Sequence, residues 1–316
     1  MYAPFMRVVF FGTPRFAVPS LESLVGRGFE VPLVVTQPDR PVGRSGQPRL
    51  SRIAELAAGL GLPVEKPEKL RGNEHFFERL AAARPDAIAV VAYGKLLPGR
   101  ILDLPPLGCV NVHASLLPRH RGASPISSAL LAGDRETGVV TMKVAPELDS
   151  GPIYLERRVA IGDREDAEAL SGRLARVGAD LLIETLRAIE SETAEPRPQV
   201  GRPTFTRPIR REDAQVDWNE PADEIERRRR AFAPWPGLHT FLDGARVKLL
   251  DVEVDRGAAA AREPGTVWLE GDAAKAAAGR GSTLTLLRVQ REGRRPVSGA
   301  ELLRALPALP ARFESG

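Results

Sequence analysis

The chain of 316 residues has one cysteine, Cys109, and four histidines. One thiol cannot build a disulfide framework, and no Cys/His spacing matches a metal site. Cys109 lies in an apolar strand and reads as a small core residue rather than a nucleophile. No apolar run is long enough to span a membrane. The stretch Met1–Arg7 has no basic n-region, extended h-region or cleavage site, so it is not a secretory signal. A cytoplasmic protein with no membrane partner is expected. Neither G-x-G-x-x-G nor a Walker sequence occurs, so the Gly12-Thr13-Pro14 turn supports neither a dinucleotide nor ATP. Internal repeats are absent. Lysine is scarce beside arginine, and the net charge of +4 favours anionic partners only weakly.

Enough apolar residues remain for a real core, and the length suggests two domains. The first half alternates strands and helices. Strands are expected at Val8–Phe11, Val31–Thr36, Asp86–Ala92, Val110–His113 and Val139–Val144, and helices at about Ala17–Val25, Ile53–Leu60, Glu74–Ala83 and Asp166–Ser191. The nearly continuous apolar run Asp86–Ala92 suits a strand covered on both faces. This order predicts an α/β fold with a parallel, doubly wound sheet. Ala194–Gln199 reads as a linker, with a boundary near Pro203–Pro208: residues 1–203 form one domain and 204–316 a second. The second has a helix over Ala222–Phe232 and strands at Val247–Val254, Gly265–Leu269 and Leu284–Val289, which suggest a small barrel. The small-residue stretches Arg256–Arg262 and Ala273–Gly281 read as mobile loops.

The chemistry concentrates in Val110–Gly122. Asn111 and His113 are two residues apart on a strand, so their side chains share a face at its carboxyl end. Open α/β sheets bind ligands there. An amide can hold a developing oxyanion, and an imidazole can move a proton. Both residues also suit a purely structural, hydrogen-bonded role. Asp149 lies in the turn Pro146–Pro152, within reach of the same strand end. There it would favour the imidazolium of His113, or else it caps its own loop. In the helix Ala222–Phe232, Arg229 falls on the stripe shared by Ala222, Ile225 and Phe232; it either snorkels outward or meets a partner, and the run Arg227–Arg230 otherwise reads as a solvated face.

Several segments together carry a family resemblance: Phe11-Gly12-Thr13-Pro14, Thr36-Gln37-Pro38-Asp39-Arg40-Pro41, Val91-Ala92-Tyr93-Gly94, Asn111–Pro118, Leu148-Asp149-Ser150-Gly151, Asp217-Trp218 and Arg230–Gly237. Along nearly its whole length the chain resembles the methionyl-tRNA formyltransferases. The Asn-His-Asp set is shared by folate-dependent formyltransferases generally, whereas the Gln-Pro-Asp-Arg-Pro loop and the Pro-Trp-Pro-Gly segment are narrower. The resemblance implies a Rossmann-like formyltransferase domain followed by a barrel similar to an OB fold. It implies formyl transfer from 10-formyltetrahydrofolate to the amino group of methionyl initiator tRNA, in support of translation initiation. No metal and no DNA partner are implied, and a monomer is expected. Carried over by motif position, Asn111, His113 and Asp149 are catalytic. Ser115, Leu116, Leu117 and Pro118 form the folate-binding loop, with Val91, Tyr93 and Gly94 lining the pterin pocket. The loop Gln37–Arg49 resembles a tRNA-contacting insertion, in which Arg40, Arg44 and Arg49 meet acceptor-stem phosphates; a mobile surface loop with ordinary arginines is the alternative. The chain departs from the family pattern at His120, usually aromatic, at Glu147, commonly glycine, at Arg229, usually apolar, and in a loop poorer in lysine.

Three other functions compete. A formyltransferase for a small amine would not need the second domain. An idle RNA-binding protein would not need the intact triad. A formyltetrahydrofolate hydrolase would not need the tRNA-like loop.

Overall fold

The computed structural model describes residues 6–41, 48–257 and 261–314. The chain divides into two compact units. One comprises Met1–Pro125, Glu136–Ile161 and Ser171–Arg207, and the other Ile126–Arg135, Gly162–Leu170 and Pro208–Gly316.

The first unit is built on a seven-stranded sheet. Its parallel core runs in the order Cys109–His113, Ala87–Val91, Val8–Gly12, Val34–Val35 and Val64–Glu65. Val8–Gly12 and Ala87–Val91 are buried at every position, as the apolar runs require of strands covered on both faces. Because these strands are parallel, Gly12, Val35, Val91 and His113 finish at one edge of the sheet. Beyond Cys109–His113 come two antiparallel strands, Glu136–Lys143 and then Ile153–Ala160. The sequence pattern does not announce Ile153–Ala160. It is an edge strand with exposed charged residues at its centre, so neither alternation nor an apolar run marks it.

Local capping explains where the helices begin. Ser51 Oγ accepts from Ala54 N at 3.0 Å to start Arg52–Gly59, and Asn73 Oδ1 accepts from Phe76 N at 3.1 Å to start Glu74–Ala82. The long helix Ala167–Glu190 starts at Asp166, whose Oδ1 accepts from Ala169 N at 3.0 Å. It lies close against the sheet at Gly178, where a Cβ would stand 2.7 Å from a methyl of Val112. Thr185 and Thr141 share a buried hydroxyl hydrogen bond of 2.6 Å across the same contact. In the core, Phe11 meets Tyr93 and Phe76 edge-on, with ring centroids 5.1 and 6.4 Å apart. Phe205–Thr206 pairs in parallel with Arg121–Gly122. The first unit runs on to Arg207.

In the second unit, antiparallel strands follow the order His239–Leu242, Ala245–Asp255, Thr283–Arg291, Ala273–Ala277, Thr266–Glu270 and Ala311–Arg312. A bridge between Phe241 and Glu314 returns the chain end to the first strand, so the sheet nearly closes into a barrel of the OB-like kind expected. Trp218 fills its core. The ring stacks on Phe313 at 5.2 Å, and Nε1 donates to Thr240 Oγ1 at 3.0 Å. Ala273–Ala277 is a strand and not the loop its composition suggests. Its small side chains let the helix Gly299–Arg304 approach: a Cβ on Gly299 would stand 2.9 Å from the Ala274 Cβ. Residues 258–260 of the other expected loop lie outside the described residues.

The basic helix Ala222–Ala231 is also not a free charged face. Arg229 and Arg230 are buried and both pair with Glu226, at 3.3 and 2.8 Å. Arg228 pairs with Glu220 and donates to the carbonyls of Asp213 and Gln215 at 2.8 Å each. Arg227 lies 3.2 Å from Asp223. Arg229 neither snorkels nor reaches outward; its charge is met inside the unit. Among the described residues, no helix is long and apolar enough to cross a membrane, and no group of three or more His, Cys, Asp or Glu side chains is arranged to hold a metal.

Candidate active site

Strand alternation puts Asn111 and His113 on one face of Cys109–His113, opposite Met142 and Val140 of the neighbouring strand. Asn111 is partly exposed, while His113 is only 6% exposed. The His113 Nε2 lies 3.0 Å from the His120 carbonyl oxygen. A carbonyl can only accept, so Nε2 carries the proton of the neutral ring and Nδ1 presents its lone pair. Asp149 Oδ2 stands 3.6 Å from that Nδ1. The sequence expectation that these two groups meet is therefore realised in space. Asp149 adopts a left-handed backbone, φ 47°, and its Oδ2 also accepts from Gly122 N at 2.8 Å. Burial lowers the His113 pKa below its ordinary 6.5; the Asp149 charge and the His120 carbonyl oppose this without cancelling it. Burial thus favours the uncharged imidazole, while the Asp149 carboxylate favours the imidazolium, as its place in the sequence suggests.

The loop after the strand is held from within. Ser115 Oγ donates to the Arg119 carbonyl at 2.7 Å. Leu117 packs on Val140 and Met142. Leu116 lies over Gly138, where a Cβ would stand 2.4 Å from the leucine Cδ2. Pro118 follows a cis peptide bond, and its carbonyl accepts from Thr204 N at 3.2 Å. Val91 ends the adjacent strand fully buried, and positive φ at Ala92 (47°) and Gly94 (82°) turns the chain across the sheet edge. The Tyr93 ring points into the core, and burial raises its hydroxyl pKa to about 12. Only the backbone of Tyr93 is therefore available at this edge. Its carbonyl accepts from Gln37 Nε2 at 2.9 Å, while Gln37 Oε1 is buried with no hydrogen-bond partner among the described residues. Sequence reasoning left Gln37 out of the site, although it stands in the Thr36–Pro41 motif.

Arg40 and Arg49 face each other across a two-residue antiparallel ladder, Arg40–Pro41 with Pro48–Arg49, and Arg49 is exposed. Arg44 lies outside the described residues. The described start of the loop Gln37–Arg49, Gln37–Asp39, is anchored by a 2.7 Å ion pair between Asp39 and Lys66 and by Gln37 N donating to Thr13 Oγ1 at 3.2 Å. A second group of residues escaped the sequence reading altogether. Gln199 donates from Nε2 to the carbonyls of Asp149 and Gly151, and Thr204 accepts from His120 N. Gln199 ends the stretch read as a linker, and Thr204 stands in the segment read as the domain boundary. Glycine is obligatory at Gly151, where a Cβ would come within 1.8 Å of the Lys143 carbonyl.

Comparisons with known proteins agree with this architecture. The family model described as formyl transferase matches residues 6–186, and that described as formyl transferase, C-terminal domain, matches 208–307. The methionyl-tRNA formyltransferase of Thermus thermophilus is 45% identical over 96% of this chain and 98% of its own. That of Koribacter versatilis is 44% identical over 94% and 95%. Among solved structures, a methionyl-tRNA formyltransferase from Clostridium thermocellum shares the fold with a TM-score of 0.55 at 15% identity, over 80% of this chain and 96% of its own. HypX from Aquifex aeolicus in complex with tetrahydrofolic acid shares it with a TM-score of 0.63 at 16% identity, over 95% and 47%. With the first family model covering more than half of the chain and relatives above 40% identity spanning nearly all of it, the chain belongs to the formyl transferase family, among the methionyl-tRNA formyltransferases, and is an enzyme that transfers formyl groups.

Proposed function

We propose that the enzyme formylates the amino group of methionyl initiator tRNA with 10-formyltetrahydrofolate as donor, in the cytoplasm, as a step of translation initiation, and that Asn111, His113 and Asp149 are its catalytic set. The observation that carries the reading is the buried His113, at the carboxyl end of a parallel-core strand, with Nδ1 3.6 Å from Asp149 and Asn111 on the same strand face. The first unit acts as the catalytic domain and the barrel unit as the tRNA-binding domain.

The residues fit a folate donor. The unpartnered Gln37 Oε1 beside the Tyr93–Gly94 backbone offers acceptor capacity for the N–H groups of a pterin. Ser115, Leu116, Leu117 and Pro118 supply the rest of the wall, with Val91 behind. When bound, the donor supplies an electrophilic formyl carbon. Asn111 then donates from its amide to the formyl oxygen as negative charge builds there. His113 starts neutral, so Nδ1 takes the proton lost by the attacking amine, through water. The imidazolium that results is held by Asp149 on one side and the His120 carbonyl on the other. It returns the proton to the departing folate nitrogen as the C–N bond breaks, and the new N–C bond remains on the aminoacyl group. Arg40, Arg44 and Arg49 contact tRNA phosphates.

The test offers purified enzyme and labelled formyl donor to charged initiator tRNA, charged elongator tRNA, or neither. Label is expected on the charged initiator tRNA. Equal labelling of a small free amine, or release of formate without acceptor, overturns the reading.

A further inference from the structure

We infer that Gln199, aided by Thr204, is a positioning residue for this reaction, holding the two partners of the His113 ring in a single register. The inference rests on the reading of His113 and Asp149 as catalytic groups. Residues 187–207 lie between the two segments matched by the family models.

The hydrogen-bonding capacity of Gln199 is spent on one task. Its Nε2 donates to the Asp149 carbonyl at 2.8 Å and the Gly151 carbonyl at 2.9 Å. Its Oε1 accepts from Arg121 Nε at 3.1 Å and Nη2 at 2.6 Å. An amide has two donor hydrogens and two acceptor lone pairs, and all four are used. Gln199 thus ties the Asp149 turn to the Arg121–Gly122 strand. That strand sets both neighbours of the imidazole. Gly122 N donates to Asp149 Oδ2 at 2.8 Å, and the preceding residue, His120, supplies the carbonyl 3.0 Å from His113 Nε2. Thr204 fixes His120 from the other side, its Oγ1 accepting from His120 N at 2.8 Å, while its carbonyl accepts from Arg121 N at 2.8 Å. The Phe205–Thr206 ladder continues the same attachment, with Thr206 Oγ1 accepting from Ser124 N at 3.0 Å. Asp149 and His120 both have positive φ, 47° and 59°, a conformation that L side chains rarely adopt and that surrounding contacts must impose. The ionisable groups acting on His113 are Asp149, which favours its charged form, and His120, which disfavours it. Loss of the positioning residue releases Asp149 and therefore lowers the His113 pKa further. A displacement of about 1 Å at such a site costs on the order of 100-fold in rate.

The test compares full-length wild type with Gln199→Met, Gln199→Glu, Thr204→Val and His113→Ala. It measures kcat, KM for charged tRNA and for the formyl donor, the pH profile of kcat/KM, and thermal unfolding. Gln199→Met is expected to lower kcat by about 10- to 100-fold with both KM values within about threefold of wild type. Its acid limb is expected to shift to lower pH. Gln199→Glu still accepts from Arg121 but cannot donate to either carbonyl, so kcat stays low. Thr204→Val is expected to lower kcat and shift the acid limb in the same direction, and it carries the test if Gln199→Met does not fold. A wild-type kcat, an unchanged acid limb, a loss confined to KM, or restoration by Gln199→Glu overturns the inference. His113→Ala separates this from the underlying reading: near-normal turnover in that variant refutes the catalytic assignment itself, whereas an inactive His113→Ala beside wild-type Gln199→Met and Thr204→Val refutes the positioning role alone.

Discussion

Replacing Asp149 by asparagine removes a charge from beside His113 while keeping the side chain's shape. The oxygen of the introduced amide can still accept from Gly122 N, as the carboxylate does at 2.8 Å, so the turn keeps its anchor. At 3.6 Å, a full imidazolium–carboxylate pair is worth about 4–5 kcal/mol for an effective dielectric constant of about 20. That attraction exists only once His113 has taken up a proton, so its loss falls on the transition state and not on resting binding. A fall in kcat of about 100- to 1,000-fold is expected, within the range of positioned acid–base groups. The direction of the pH effect follows from the same geometry. Burial already holds the His113 pKa below 6.5, and Asp149 is the chief influence raising it. Without Asp149 the pKa falls further, so the neutral base persists to lower pH and the acid limb of kcat/KM moves down. The assay is initial-rate formylation of charged initiator tRNA across a pH series, with single-turnover measurements to isolate chemistry. A kcat within about threefold of wild type, or an acid limb that moves to higher pH, would refute the reasoning.

Glu226→Gln takes the carboxylate charge from two buried guanidiniums, Arg229 and Arg230, and is expected to destabilise the protein by about 3–5 kcal/mol in denaturant unfolding; a loss under about 1 kcal/mol would show that this ion-pair cluster is dispensable. Replacing Arg40, Arg44 and Arg49 together with alanine is expected to raise KM for charged tRNA, leave KM for the formyl donor unchanged and flatten the salt dependence by up to about 0.9 in log–log slope for each tRNA phosphate no longer neutralised. Unchanged tRNA kinetics in that triple variant would make the loop a bystander. The run Arg227–Arg230 is a poor substitute for it, because each of those arginines already faces a carboxylate of its own unit.

Local chemistry alone placed much of the fold within reach of the sequence. Period-two alternation put Asn111 and His113 on one strand face, apolar runs marked the central strands, and 3.6-residue periodicity marked the long helix, found at Ala167–Glu190. Those signals depend on near neighbours, so they survive without any knowledge of the rest of the chain. Tertiary structure decided what depends on distant partners. The edge strand Ile153–Ala160 gains its identity from pairing with Glu136–Lys143, and Ala273–Ala277 is a strand because it pairs on both sides, with Thr266–Glu270 and Thr283–Arg291. Arg229 is buried because Glu226 meets its charge. At the site, a carboxylate near His113 was foreseeable from motif position, but the net sign of the pKa shift was not, since it is a contest between Asp149 and burial that only packing resolves. Gln199 had no signal at all: its role consists of hydrogen bonds to groups 48, 50 and 78 residues away, a relation that no local pattern of side chains encodes.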